Sequence, residues 1–164
     1  MDHVDRILAQ WRQQRPDLDV GPMGLIGRLK RLHDRLLQEL ERVYAAHGLN
    51  AASFDVLATL RRAGPPHALS PSTLAAWTMV TSGTMTNRLD RLEVQGLIER
   101  RPHPEDGRSL VVALTAAGFV LIDRVVTEHV ENQHRLVSGL PPEVRRRLDG
   151  NLAAWLAALD AGAG

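Results

Sequence analysis

The stretch from Leu69 to Thr115 limits most strongly what this chain can fold into. Ser70 reads as a helix N-cap, with Pro71 at the first helical position, where a missing N–H costs little. The helix it opens ends near Trp77. After a short break, Thr81 or Ser82 caps a second helix that stops at Gln95-Gly96. Leu97 to Arg101 and Ser109 to Leu114 read as short strands. The polar loop Pro102 to Arg108 joins them, and Asp106-Gly107 is a hairpin-turn signal. Helix, tight turn, helix, strand, loop and strand in this order are the layout of a winged helix-turn-helix. Such a module lays one helix in the major groove of DNA and a loop beside it.

The remaining segments are helical. Val4, Ile7, Leu8 and Trp11 form one apolar stripe on a helix from about Asp2 to Gln14. Arg15-Pro16 to Gly21-Pro22 breaks it. A longer helix, about Met23 to Ala46, carries Ile26, Leu29, Leu32, Leu36, Leu37, Leu40, Val43 and Tyr44, and Gly48 stops it. Asn50 caps a helix from Ala51 to Ala63, which Gly64-Pro65-Pro66 ends. Thr115 caps a helix from Ala116 to about Ser138, and a last helix spans Glu143 to Asp160. The fold expected is mainly α with a small β-hairpin: a winged helix-turn-helix dimerised by N- and C-terminal helices. Residues 1–48 are the N-terminal helices, 49–115 the DNA-binding region and 116–164 the C-terminal helices. The terminal stripes are too extensive for a module of about fifty residues to cover. A homodimer with two-fold symmetry would cover them.

Composition excludes more than it suggests. Without cysteine there are no disulfides, thiol sensors, Fe–S clusters or cysteine zinc sites. Aromatics make up 4%, so the core is built from Leu, Val and Ala. No apolar run is long enough for a bilayer and the acidic start lacks a signal-peptide pattern, so the compartment expected is the cytoplasm. The net charge of +1 carries no basic signature. Between Ser70 and Thr115 five arginines (88, 91, 100, 101, 108) face five acids (90, 93, 99, 105, 106). DNA binding is therefore inferred from layout and from where those arginines fall.

On the helix from Thr81 to Gln95, Met85, Leu89 and Leu92 form an inward face at i, i+4, i+7. Thr84, Asn87, Arg88 and Arg91 lie away from it and carry the groups that bind base edges and phosphates. Thr81 to Thr84 is small and polar, and its free N–H groups favour an anion. The DNA-contact candidates are Thr81, Ser82, Thr84, Met85, Asn87 and Arg91 on the helix, with Arg101, His103, Arg108 and Ser109 on the wing. Arg108 is placed for a minor groove or a phosphate, with Asp106 near enough to hold it. Read one at a time, the helix is also an ordinary amphipathic helix and the loop a solvated hairpin. Their order joins them into one reading.

The block Asn87-Arg-Leu-Asp-Arg-Leu-Glu93, then Gly96-Leu-Ile-Glu-Arg-Arg101, Asp106-Gly-Arg-Ser109 and Leu114-Thr-x-x-Gly118, resembles the MarR family of bacterial transcription regulators over essentially the whole length. The resemblance implies homodimers bound to pseudo-palindromic promoter sites through the Thr81–Gln95 helix and the wing. It also implies repressors released by small anions or phenols. The extra N-terminal helix with its tryptophan, followed by Arg15-Pro-Asp-Leu-Asp19, is similar to the branch that answers to urate and related purines. That likeness implies a ligand site at Trp11, Asp55, Arg88 and Arg100. A flat monoanion would stack on Trp11, pair with a guanidinium fork and donate a ring N–H to Asp55. The residues alone leave other roles open: packing for Trp11, the helix dipole for Asp55, DNA for Arg88, a nearby acid for Arg100.

No enzyme, cofactor or metal site is expected. Glu131-x-x-His134 occurs once and reads as a solvated face, and no phosphate loop, dinucleotide fingerprint or nucleophile elbow is present. Three readings stand: a urate-type repressor, a relative answering to a phenolic or aromatic acid, and an effector-independent winged-helix protein.

Overall fold

The computed structural model describes residues 1–78, 82–103 and 109–162, and for 82–84 the backbone alone. The helices are α1 (His3–Gln14), α2 (Gly21–Ala45), α3 (Ala51–Arg62), α4 (Pro71–Trp77), α5 (Ser82–Val94), α6 (Ala116–Val137) and α7 (Pro142–Ala161). The strands are β1 (Ala68–Leu69), β2 (Ile98–Pro102) and β3 (Leu110–Leu114).

The helix starts follow their caps. The side chains of Asn50, Ser70 and Thr115 accept from the main-chain N–H of Ser53, Thr73 and Gly118. α1 is capped by an acidic box that composition did not advertise: Asp2 and Asp5 each accept the other's N–H at 2.8 Å. Gly48 and Gly96, with φ of 71° and 70°, take the left-handed turn that ends α2 and α5.

Strand order in the antiparallel sheet is β1-β3-β2. Arg100 lies opposite Val112 and Pro102 opposite Leu110. β1 was not foreseen. Two residues give no alternation to read, and the strand exists through its pairing, Ala68 with Ala113 and Leu69 with Val112.

One core joins the helix-turn-helix to the long helices. Val56, Leu57 and Leu60 of α3, Leu74 of α4, Met85, Leu89 and Leu92 of α5, Ile98 and Val112 of the sheet, and Ile122 and Val125 of α6 are all buried in it. A second, smaller core holds α1 onto α2 through Val4, Leu8 and Val20. There α2 presents glycines: a Cβ on Gly24 would stand 3.0 Å from Leu8 Cδ1. Arg28 ties the same pair of helices, donating from Nε to Asp2 at 2.9 Å and from Nη2 to Asp5.

The apolar faces outside these cores are open in the single chain. α7 buries no residue, and Leu156 is 62% exposed. On α2, Leu25 is 59% exposed, and Ile26, Leu29 and Leu32 are exposed beside it.

Candidate nucleic-acid interface and its adjoining cleft

α5 turns Met85, Leu89 and Leu92 into the core and leaves Asn87 and Arg91 on the surface, with Arg88 half-buried between the two faces. This corrects the expectation that Met85 contacts DNA. At 3% exposure its thioether is packed in the core, so it supports the helix from behind. Among the described residues, neither Arg88 nor Arg91 makes a hydrogen bond or ion pair within the chain. Both guanidinium forks are open for an anion.

The other candidates divide by position. Ser82 and Thr84 lie in the first turn of α5, as backbone. Thr81 and Arg108 fall outside the described residues, as does the contact anticipated between Asp106 and Arg108. Arg101 is exposed on β2, 3.5 Å from the Glu99 carboxylate. His103 N donates to Ser109 O at 2.8 Å and closes the base of the hairpin, so both residues sit where β2 and β3 leave the sheet.

The four residues taken as a ligand set are not brought together. Arg100 is held across the turn by two acids of α5. Its Nη2 donates to Asp90 at 2.5 Å, its Nη1 to Glu93, and its main-chain N to Glu93 Oε1 at 3.1 Å. The hydrogen bond to Asp90, with the charge of Glu93 added, raises the guanidinium above its ordinary value. Arg100 thus links the outer helix to the wing, with each of its two Nη groups engaged by an acid. Trp11 is 42% exposed on α1, whose packing partner is α2.

Asp55 and Arg88 are near enough for their charges to interact, with no ion pair or hydrogen bond between them. Asp55 is half-buried on α3, and burial pushes its carboxyl above the ordinary range, opposed by the charges of Arg62 and then Arg88. It lies beyond the first turn, and Asn50 performs the capping, so the helix dipole does not account for it. Among the described residues no hydrogen bond or ion pair reaches this carboxylate. Between the start of α3 and α5 opens a cleft of about 240 Å³, lined by Asn50, Ala52, Ser53, Asn87, Arg88 and Arg91; Asp55 is outside this lining. Asn50 was missed as a lining residue because capping already explained it, and Ser53 belongs to no motif. Glu93 was missed as a partner of Arg100 because seven residues and the Gly96 turn separate the two.

The wing is tied to α6 as well. Thr115 Oγ1 donates to Gly96 O at 2.7 Å, and Thr115 N to Leu97 O at 3.2 Å. Gly118 lies so close that a Cβ there would stand 1.9 Å from Leu97 O. This explains the glycine of the Leu-Thr-x-x-Gly motif.

A packed helix-turn-helix, an outer helix with free arginines and a small sheet beside it define a winged-helix DNA-binding protein. Residues 47–109 match the MarR family profile. The chain is 46% identical over 145 residues to the HTH-type transcriptional regulator PecS of Dickeya dadantii (strain 3937), spanning 88% of this chain and 87% of that one. This chain therefore belongs to the MarR family of transcriptional regulators. The solved structure of Bordetella bronchiseptica BpsR, described with the regulation of its DNA binding by 6-hydroxynicotinic acid, matches with a TM-score of 0.68. The two share 26% identity, over 79% of this chain and 90% of that one. AbsC, a MarR family transcriptional regulator from Streptomyces coelicolor, shares the fold with a TM-score of 0.74 at 24% identity, over 88% of this chain and 97% of that one. These relatives regulate transcription and are not enzymes. No helix among the described residues is long and apolar enough to cross a membrane.

Proposed function

We propose that this regulator is a homodimeric repressor that binds a pseudo-palindromic operator and is released by a small anionic aromatic ligand of the urate type. The observation that carries the reading is the state of α5: three apolar residues anchor it in the core, Asn87 and Arg91 stand outward, and Arg88 lies half-buried beside them, with neither arginine in a hydrogen bond or ion pair among the described residues. Residues 49–115 form the DNA-binding region. The helices in 1–48 and 116–164 form the dimer, which covers the open faces of α2 and α7.

Effector and DNA meet on Arg88. The α3–α5 cleft has donors for an anionic edge in Asn87, Arg88 and Arg91, and Asp55, on α3 outside the cleft lining, is the acceptor proposed for a ring N–H. In a dimer, Trp11 adds a stacking face. Arg100, paired with Asp90 and Glu93, holds the wing to α5. A ligand that prefers the released conformation weakens DNA binding, and DNA weakens ligand binding by the same factor.

A second reading, release by a phenolic or aromatic acid, is favoured by BpsR, whose DNA binding is regulated by 6-hydroxynicotinic acid. The test is an anisotropy titration of the chain's own upstream DNA at fixed salt, with urate, salicylate or no addition. Urate is expected to weaken binding about 5-fold or more. Loss with salicylate alone favours the second reading. Loss with neither leaves an effector-independent DNA-binding protein.

A further inference from the structure

A cavity of about 430 Å³ opens where α2, α6 and the start of α7 come together, within the size range of small-molecule sites. It shares no residue with the α3–α5 cleft. Its walls are aliphatic: Leu36 and Leu40, one turn apart on α2, and Leu136 and Val137 on α6 are all half-buried. On α6, Val130, Gln133, His134 and Val137 follow at i, i+3, i+4 and i+7, a stripe about 10 Å long. The side chains of Gln133, His134 and Arg145, the polar part of the lining, make no hydrogen bond or ion pair among the described residues. Arg145 differs in this from its neighbours. Arg146 and Arg147 both reach Glu143, at 3.1 and 3.6 Å, while Arg145 lines the cavity unpaired. The lining holds no acid, and its one permanent charge is this guanidinium. The apolar residues of the open faces, Leu25, Ile26, Leu29 and Leu32 of α2 and Leu156 of α7, take no part in it.

We propose that this cavity is a second ligand site, for an aliphatic monocarboxylate of medium chain length. One guanidinium balances one negative charge, and its planar fork matches the two oxygens of a carboxylate. The Gln133 amide can donate to the same oxygens. The alkyl chain lies along the α6 stripe against Leu36, Leu40 and Val137, in a lining that contains no Phe, Tyr or Trp on which a flat ring would stack. Chain burial supplies most of the affinity, and Arg145 fixes which end faces α7. A bound chain touches all three helices at once, so its binding stabilises the folded protein. The site is independent of the α3–α5 cleft and of the effector read there.

The full chain is titrated by calorimetry with hexanoate, octanoate and decanoate, each below its micelle-forming concentration, and with octanol as the uncharged control. Affinity should rise about 4-fold for each buried methylene, hence roughly 15-fold from hexanoate to octanoate, until the cavity is full. Octanol should bind about 10-fold more weakly than octanoate. Arg145→Gln should lower octanoate affinity about 10-fold and leave octanol unchanged. Arg145→Lys keeps the charge without the fork and should keep part of that affinity. Arg146→Gln, which removes a group already paired with Glu143, should match wild type. Val130 is 43% exposed, so Val130→Trp should fill the mouth of the cavity and abolish binding without lowering the melting temperature of the free protein. Saturating octanoate should raise the melting temperature of wild type and not that of Val130→Trp. A wild type that does not bind octanoate overturns the proposal, as does equal octanoate affinity in Arg145→Gln, or octanol bound as tightly as octanoate. A wild type that ignores octanoate while Val130→Trp breaks an assembly seen by light scattering also overturns it, and assigns the cavity to a second copy of the chain. If Val130→Trp melts below the assay temperature, the Arg145 variants and octanol decide. None of these outcomes depends on a response to urate, so this proposal and the effector reading fail separately.

Discussion

Gly118 is the residue at which the wing, the outer helix and α6 meet. Its N–H caps to Thr115, and the space a side chain would need is filled by the Leu97 carbonyl, 1.9 Å from the Cβ position. Main chain cannot swing aside as a flexible side chain can. Gly118→Ala should therefore cost at least the 1–3 kcal/mol typical of overpacking, roughly 2–12 °C in melting temperature for a domain of this size. Calorimetric melting checks it, and a variant that melts with wild type would show that the two segments are not in contact. His129 makes a second prediction. Its ring lies against Phe54, centroids 4.8 Å apart, and its Nδ1 is 3.0 Å from the hydroxyl of Tyr44. Burial lowers its pKa below the ordinary 6.5. The unfolded chain therefore binds a proton more readily, and stability is lost as pH falls below about 6.5. His129→Phe should lose less stability than wild type between pH 7 and pH 5 in paired urea melts. Equal losses would place the sensitivity elsewhere.

At the scale of elements, periodicity and caps were legible. Asn50, Ser70 and Thr115 cap the helices they were expected to cap, and Met85, Leu89 and Leu92 turn inward as their spacing requires. What sequence could not display were relations formed by folding. β1 has only two residues and is defined by a partner more than forty residues away. The Arg100 link spans a turn, and local charge counting saw only that acids were near. Met85 does not meet the expectation of a DNA contact, because a helix position serves one face and its apolar spacing assigns it inward. The Arg100 link makes its own prediction. Asp90→Asn with Glu93→Gln frees the wing from α5. Ion pairs this exposed add little to stability, under about 1 kcal/mol each, so the melting temperature should barely move. Operator affinity should fall, because helix and wing no longer arrive as one body. A variant that binds as tightly as wild type would mean that the wing is positioned by β3 and α6 alone.

For the whole molecule, two open faces and two free arginines point the same way. Leu25 and Ile26 of α2 and Leu156 and Leu159 of α7 are exposed apolar residues, and the symmetric partner proposed above would cover them. The proposed pairing would place two α5 helices at successive major grooves, about 34 Å apart. The most direct measurement is a stoichiometric titration of the upstream duplex followed by anisotropy, with a scrambled duplex as competitor at the same stated salt. The account predicts two chains per duplex and a preference for the natural sequence of about 10³-fold or more. One chain per duplex, or equal affinity for the scrambled sequence, would contradict it.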